Sequence, residues 1–198
     1  MKKIVLAGIL GAIIAFVWSA VVHMNPITAP MGLTMLNAKE DVVMAAVKDH
    51  VPQPGLYFFP GMDVSKSYTK EEEAAWTAKY KAGPSGLLLV QPNGGDPMPP
   101  SMLIIEFVST LGCALIAAFI LASTVGSFTR RVTMVMLLGL FGWLAISVSQ
   151  WDWYAFPFAF VALDAIDQVF GWLLAGLLMA KLIKPANQLA QLSQPRTA

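Results

Sequence analysis

The sequence has few of the residues that form crosslinks, metal sites or a polar surface. Its single cysteine, Cys113, excludes an internal disulfide, and with only two histidines the cysteine-rich zinc and iron–sulfur sites are excluded as well. Only 13% of the 198 residues are charged, which is too little for the surface of a soluble domain. The 13 basic and 12 acidic residues nearly balance, which excludes a strongly basic nucleic-acid-binding protein.

The sequence is instead rich in apolar residues. They make up 57% of the chain, and the mean hydropathy is +0.63. A helix that crosses about 30 Å of hydrocarbon needs roughly 20 such residues in a row. Four runs approach or exceed that length, at residues 4–24, 101–125, 132–149 and 156–180. The fold class predicted from them is an all-α transmembrane four-helix bundle with a small α+β extracytoplasmic domain between helices 1 and 2.

The distribution of charge predicts the orientation of these helices. The region 25–100 and the short loop around Asp152 hold six basic and nine acidic residues. The other basic residues all fall at the opposite ends of the spans, where no acid accompanies them: Lys2, Lys3, Arg130, Arg131, Lys181, Lys184 and Arg196. Because cytoplasmic loops are rich in lysine and arginine, we expect a multi-pass protein of a bacterial inner membrane with both termini in the cytoplasm.

The predicted organisation has four parts. Residues 1–24 form transmembrane helix 1, residues 25–100 the periplasmic domain, residues 101–184 transmembrane helices 2–4, and residues 185–198 a cytoplasmic tail. The alternative for the first part is a cleaved signal peptide, since two lysines precede its apolar run. That run is long for a signal peptide, and Trp18 stands where cleavage after Ala20 prefers a small residue, so an uncleaved anchor fits better.

Capping residues predict two helices in the periplasmic domain. Asn37 with Glu40 is read as the N-cap and its reciprocal partner for a helix that Pro52 stops. Thr69 with Glu72 repeats this pattern for a helix that ends at Gly83.

Two short apolar runs in the same region, residues 56–59 and 87–90, predict strands that pair with each other. The expected core of the domain is aromatic and consists of Tyr57, Phe58, Trp76 and Tyr80.

Three acidic residues lie inside the predicted spans. A charged side chain that faces lipid at mid-depth costs at least about 2.5–3.5 kcal/mol, so these acids must face protein, water or each other. Helical spacing places them on stripes of small and polar residues, which we predict to form the bundle interior. The stripes are Gly8, Ala12, Ala15, Ser19 and His23; Glu106, Ser109, Thr110, Cys113 and Ala117; Gly139, Gly142 and Ser149; and Asp164, Asp167, Gln168, Gly171 and Ala175.

The polar members of these stripes form the candidate site. At 1.5 Å per residue they fall in the outer half of the predicted bundle, so we expect a pocket that opens toward the periplasmic domain, with that domain as its lid. The candidate ligand- or ion-binding residues are His23, Glu106, Asp164, Asp167 and Gln168. All except Gln168 are also candidate metal ligands, because carboxylates and imidazole suit a divalent cation or a shared proton.

Two other interpretations of these residues stay open. Hydrogen bonds from neighbouring serines, threonines or tryptophans would fix helix register without any ligand. The same stripes would equally serve as an interface for another membrane subunit or for a second copy of the chain.

The function expected from the sequence is non-catalytic. A nucleophile such as Ser109 or Cys113 needs an adjacent base, and the only histidine in the predicted spans lies about half a span from Cys113. We expect a structural or accessory component that binds a partner subunit or lipid, and no cofactor. The alternative is a protein that binds a proton or a divalent cation through its intramembrane carboxylates.

Overall fold

The computed structural model describes residues 1–185, so the predicted tail lies outside the described residues except for its first position. In chain order the elements are α1 (Lys2–Met24), α2 (Ala29–Gly32), a 3-10 turn (Asn37–Lys39), α3 (Glu40–His50), β1 (Gly55–Phe59), α4 (Lys70–Ala82), β2 (Gly86–Val90), α5 (Pro100–Ser123), α6 (Phe128–Tyr154) and α7 (Phe158–Leu182).

All four predicted spans are helices. α1, α5, α6 and α7 are each long and apolar enough to cross a membrane, which indicates a multi-pass membrane protein. α6 is longer than the apolar run that predicted it, because the Ser127 hydroxyl accepts a hydrogen bond from the Arg130 backbone N–H and starts the helix early. It ends where Ala155 adopts a left-handed conformation, with φ of 55°.

The described chain divides into two compact units, one of residues 1–34 and 97–185 and the other of Met35–Asp96. In the first unit α1 packs along both α5 and α7, and α6 packs along α7. α5 and α6 make little contact with each other. The helices therefore follow the order α5, α1, α7, α6, with an opening between the first and the last.

Small residues make the close helix contacts, as predicted for Gly8, while Gly11 and Gly176 make such contacts from outside the predicted stripes. Added Cβ atoms at Gly8 and Gly176 would lie 2.7 Å from Leu115 Cδ2 of α5 and 3.0 Å from Val135 Cβ of α6. An added Cβ at Gly11 would overlap the Met179 side chain of α7. The buried cluster of this unit is correspondingly rich in alanine: Ala7, Ala12, Ala15, Ala114, Ala117, Ala118, Ala175 and Ala180.

In the second unit the predicted strands form an antiparallel two-stranded sheet. Gly55 pairs with Val90 and Phe59 with Gly86. The predicted capping box of α4 is confirmed, because the Thr69 side chain accepts from the Glu72 N–H and the Glu72 carboxylate accepts from the Thr69 N–H.

The Asn37 prediction is wrong. Asn37 has a φ of 57° and begins the 3-10 turn, and α3 starts at Glu40 without a side-chain cap. Asparagine tolerates the left-handed region better than most residues, and here it makes a turn instead of capping a helix.

The predicted aromatic core of this unit is not a buried core, because Tyr57, Phe58 and Tyr80 are 36%, 41% and 39% exposed. Phe58 stacks on Tyr80 at a centroid distance of 6.0 Å, and Trp76 lies 5.4 Å from Tyr80. Side chains alternate across a strand, so Tyr57 points to the opposite face from Phe58. Its hydroxyl donates to the Gln53 carbonyl at 2.8 Å.

The turn after β1 is organised by Asp63. Its Oδ1 accepts from the Ser65 hydroxyl at 2.6 Å and from the Ser65 backbone N–H at 3.0 Å, and Oδ2 lies 3.1 Å from Lys66 Nζ. These hydrogen bonds, chiefly those from Ser65, hold the pKa of the Asp63 carboxyl below its ordinary value.

Candidate functional site

The opening between α5 and α6 forms a partly open cavity of about 530 Å³ above α7, here called the cleft. This volume is typical of sites for small molecules. α5 contributes Cys113, Ile116 and Ala117; α6 contributes Leu138, Gly142, Trp143, Ile146, Ser147 and Gln150; α7 contributes Phe160, Asp164, Gln168 and Trp172.

The polar groups of the cleft are held in place by hydrogen bonds between α6 and α7. The buried Ser147 hydroxyl donates to Asp164 Oδ2 at 2.9 Å. The Trp143 indole N–H donates to the Val161 carbonyl at 2.8 Å. Both bonds join the same two helices, so they connect α6 to α7 along this wall of the cleft, and the Ser147 bond orients Asp164.

A smaller cavity of about 130 Å³ adjoins the cleft through Cys113, Gln168 and Trp172, which line both. The Trp172 indole N–H donates to Gln168 Oε1 at 3.2 Å, and the Gln168 amide nitrogen lies 3.5 Å from Asp167 Oδ2. Glu106, Ser109, Thr110 and Cys113 of the stripe predicted on α5 line this smaller cavity. The prediction that this stripe is buried in the bundle holds for Ala117 but not for Glu106, Ser109 and Cys113, which are exposed.

Asp167 joins α7 to α1 in the smaller cavity. The Ser19 hydroxyl donates to Asp167 Oδ2 at 3.2 Å, and His23 Nε2 lies 3.5 Å from the same oxygen. The Asp167 side chain is 11% exposed and that of His23 is 43% exposed. The pair is therefore accessible from outside the protein mainly at the His23 side chain.

The five candidate residues lie in two neighbouring places. Asp164 and Gln168 line the cleft, while Glu106, Asp167 and Gln168 line the smaller cavity. His23 lines neither of these two cavities, and it contacts this group of residues through Asp167. Within residues 1–185 no three histidine, cysteine, aspartate or glutamate side chains come together as metal ligands.

Family models, curated proteins and solved structures give no significant match to this chain.

Arg131 is structurally important. The sequence pattern placed it in the loop between two spans, but it lies in the first turn of α6. Its side chain is 1% exposed inside the helical unit. One guanidinium nitrogen donates to the carbonyls of Ala180 at 3.2 Å and Ile183 at 2.9 Å, and the other donates to Leu121 at 3.4 Å. These carbonyls end α7 and α5, where the helix dipole favours a cation.

Arg131 thereby joins α5, α6 and α7 at one end, here called the turn end because residues 124–127 link α5 to α6 there. The signal that could have located it is spacing. Arg131, Val135 and Gly139 recur at four-residue intervals on one face of α6, and all three are buried.

Two glycines of α6 distinguish the packed face from the cleft. An added Cβ at Gly139 would overlap the Gln168 carbonyl oxygen and lie 2.5 Å from Trp172 Cδ1. An added Cβ at Gly142 would meet nothing within 4 Å. The predicted stripe on this helix includes both glycines as contact residues. In the structure Gly139 packs against α7, whereas Gly142 faces the open cleft.

Proposed function

We propose that this chain is a non-catalytic accessory protein of a bacterial inner membrane and that its cleft binds a membrane lipid. The observation that carries the proposal is the opening between α5 and α6, because apolar and aromatic side chains line it around a few fixed polar groups. That combination is typical of ligand sites and suits a molecule with an apolar tail and a polar head.

We also propose that the turn end of the helical unit faces the cytoplasm. Lys2, Lys3 and Lys184 line one cavity of about 280 Å³ at this end, and an accumulation of lysines is typical of the cytoplasmic side. Asp164 and Gln150 would then lie in the periplasmic half of the bilayer, and the unit Met35–Asp96 would be periplasmic.

The surroundings of the nucleophilic groups support a non-catalytic role. Ser147 donates to Asp164, and within residues 1–185 no histidine lines the cleft or the smaller cavity. The nearby histidine, His23, contacts Asp167 instead. Neither Ser147 nor Cys113 has the adjacent imidazole that nucleophilic catalysis commonly uses.

Filling the cleft tests the proposal. Gly142→Phe places a ring in the open space that faces this position and should remove bound lipid. The protein is reconstituted into nanodiscs of phosphatidylethanolamine and phosphatidylglycerol, extracted with a mild detergent, and its retained lipids are counted by native mass spectrometry. We expect the wild type to retain about one lipid molecule more than the variant.

Gly112→Phe is the matched control. A Cβ at Gly112 also meets nothing within 4 Å, and this residue lines neither cavity. It adds the same ring to a neighbouring helix and should leave lipid retention unchanged. Equal retention by the wild type and the Gly142→Phe variant would contradict the proposal.

A second candidate function rests on the His23–Asp167 contact of 3.5 Å. We propose as the alternative that this pair holds and passes a proton, because an imidazole and a carboxylate exchange protons across a short hydrogen bond or through one water, and this contact is only slightly longer than such a bond. In proteoliposomes that carry a potassium diffusion potential, His23→Gln and Asp167→Asn should each slow dye-reported proton uptake about fivefold or more.

Asp152→Asn is the control for that experiment, since Asp152 is exposed near the end of α6 and its substitution removes the same charge. Uptake by the wild type no faster than that of protein-free liposomes would exclude the alternative.

A further inference from the structure

The cleft contains an uncompensated negative group. Asp164 is half-buried, and its Oδ2 accepts a hydrogen bond from Ser147. No lysine, arginine or histidine among residues 1–185 forms an ion pair with it. Asp167, one turn further along α7, has His23 beside it. Of the two aspartates, Asp164 therefore lacks a cationic neighbour.

Such a carboxylate favours a cationic ligand. A charge surrounded by apolar groups is strongly disfavoured unless an opposite charge or several hydrogen bonds compensate it. Ser147 supplies one hydrogen bond, and the rest of the cleft wall is largely apolar. A ligand with a positive head would supply the missing charge.

The aromatic lining favours the same class of ligand. Phe160 and Trp143, whose indole N–H bonds to the Val161 carbonyl, line the cleft near Asp164, and Trp172 lines it two turns further along α7. The Trp143 indole N–H donates to the Val161 carbonyl and that of Trp172 to Gln168. Neither N–H is therefore free to bind an anionic head. Aromatic rings attract ammonium groups through their negative faces, and within residues 1–185 no lysine or arginine lines the cleft to attract an anion.

We propose that the cleft selects an amphiphile with an ammonium head, which binds Asp164 beside Trp143 and Phe160 while its tail lies against Ile116, Leu138 and Ile146. This inference rests on the proposed function, since it names the chemistry of the ligand for the same cleft. An ammonium-bearing lipid headgroup and a free long-chain amine share that chemistry.

Three single-chain probes of equal length test the inference: dodecylamine, dodecanol and dodecanoate. Their binding to the full chain is measured in a nonionic detergent by the quenching of tryptophan fluorescence with brominated analogues. We expect the wild type to bind the amine at least about tenfold more tightly than the alcohol, and the carboxylate most weakly. Asp164→Asn, which keeps the shape and an acceptor for Ser147, should reduce the amine and alcohol affinities to within about twofold of each other.

Asp167→Asn is the matched control, because it removes the same charge one turn away and outside the cleft. It should keep the preference for the amine. Equal binding of amine and alcohol by the wild type, or an unchanged preference in Asp164→Asn, would overturn the inference. If Gly142→Phe still abolishes binding of both probes in that case, the lipid-binding function stands and only the ammonium selectivity fails.

Competition then assigns the source of the ligand. Dodecylamine binding is compared in nanodiscs of phosphatidylglycerol alone and in nanodiscs that also contain phosphatidylethanolamine. Weaker binding in the mixed nanodiscs supports the inference with a lipid headgroup as ligand, and equal binding supports it with a free amine.

Discussion

Replacing Gly139 with alanine should destabilise the helical unit by about 1–3 kcal/mol, the usual cost of overfilling a packed contact. The new methyl group would overlap the Gln168 carbonyl oxygen and approach the Trp172 ring. Backbone gives way far less easily than the end of a flexible side chain, so α6 and α7 must separate. The free energy of unfolding in mixed micelles, followed by tryptophan fluorescence, measures the effect.

Gly142→Ala supplies an internal control, because it makes the same chemical change one turn along the same helix. Its methyl group enters open space, and alanine favours helix over glycine by up to ~1 kcal/mol. The variant should therefore be as stable as the wild type or slightly more stable. If the two variants lose equal stability, the assignment of Gly139 to the packed face and Gly142 to the cleft is wrong.

Replacing Arg131 with methionine should cost about 2 kcal/mol, since the three carbonyls that Arg131 binds would lose a charged donor in a buried place. Methionine keeps much of the length and volume of the side chain, so lost packing contributes little. The cost is moderated because removing the charge also removes its desolvation penalty, and because the buried Nε has no hydrogen-bond partner within residues 1–185. The measurement is again the free energy of unfolding in mixed micelles.

Arg130→Met separates this effect from the loss of a basic residue. Arg130 adjoins Arg131 and carries the same charge, but it is exposed. Its replacement should change stability by less than about 0.5 kcal/mol, as is usual for surface positions. Equal losses for the two variants would show that Arg131 acts through net charge and not through the helix ends.

Much of the helical architecture could be predicted because it follows from length, hydropathy and spacing. The four apolar runs are helices in the structure, and Gly8 and Gly139 of the predicted stripes make close contacts. Gly11 makes one too, although it lies on no predicted stripe. Capping residues were less informative, since Thr69 capped a helix but Asn37 did not. A short polar side chain serves a cap or a left-handed turn equally well, and only the surrounding packing selects between them.

The arrangement of the site was harder to predict. Helical spacing placed Asp164 and Asp167 on one stripe, but it carries no information about which neighbouring helix each meets. Asp167 bonds to Ser19 of α1 and Asp164 to Ser147 of α6, so three residues of spacing direct them to opposite neighbours. The opening between α5 and α6 depends on the order in which the helices pack, and periodicity within one helix does not determine that order.

The position of Cys113 has a practical consequence. It is the only cysteine of the sequence, and its exposed thiol stands at the junction of the two cavities. A nitroxide or a fluorophore can therefore be attached there in the native sequence, without first deleting other thiols or engineering a new one. The molecule already carries a single attachment point from which the polarity and occupancy of its interior can be followed directly.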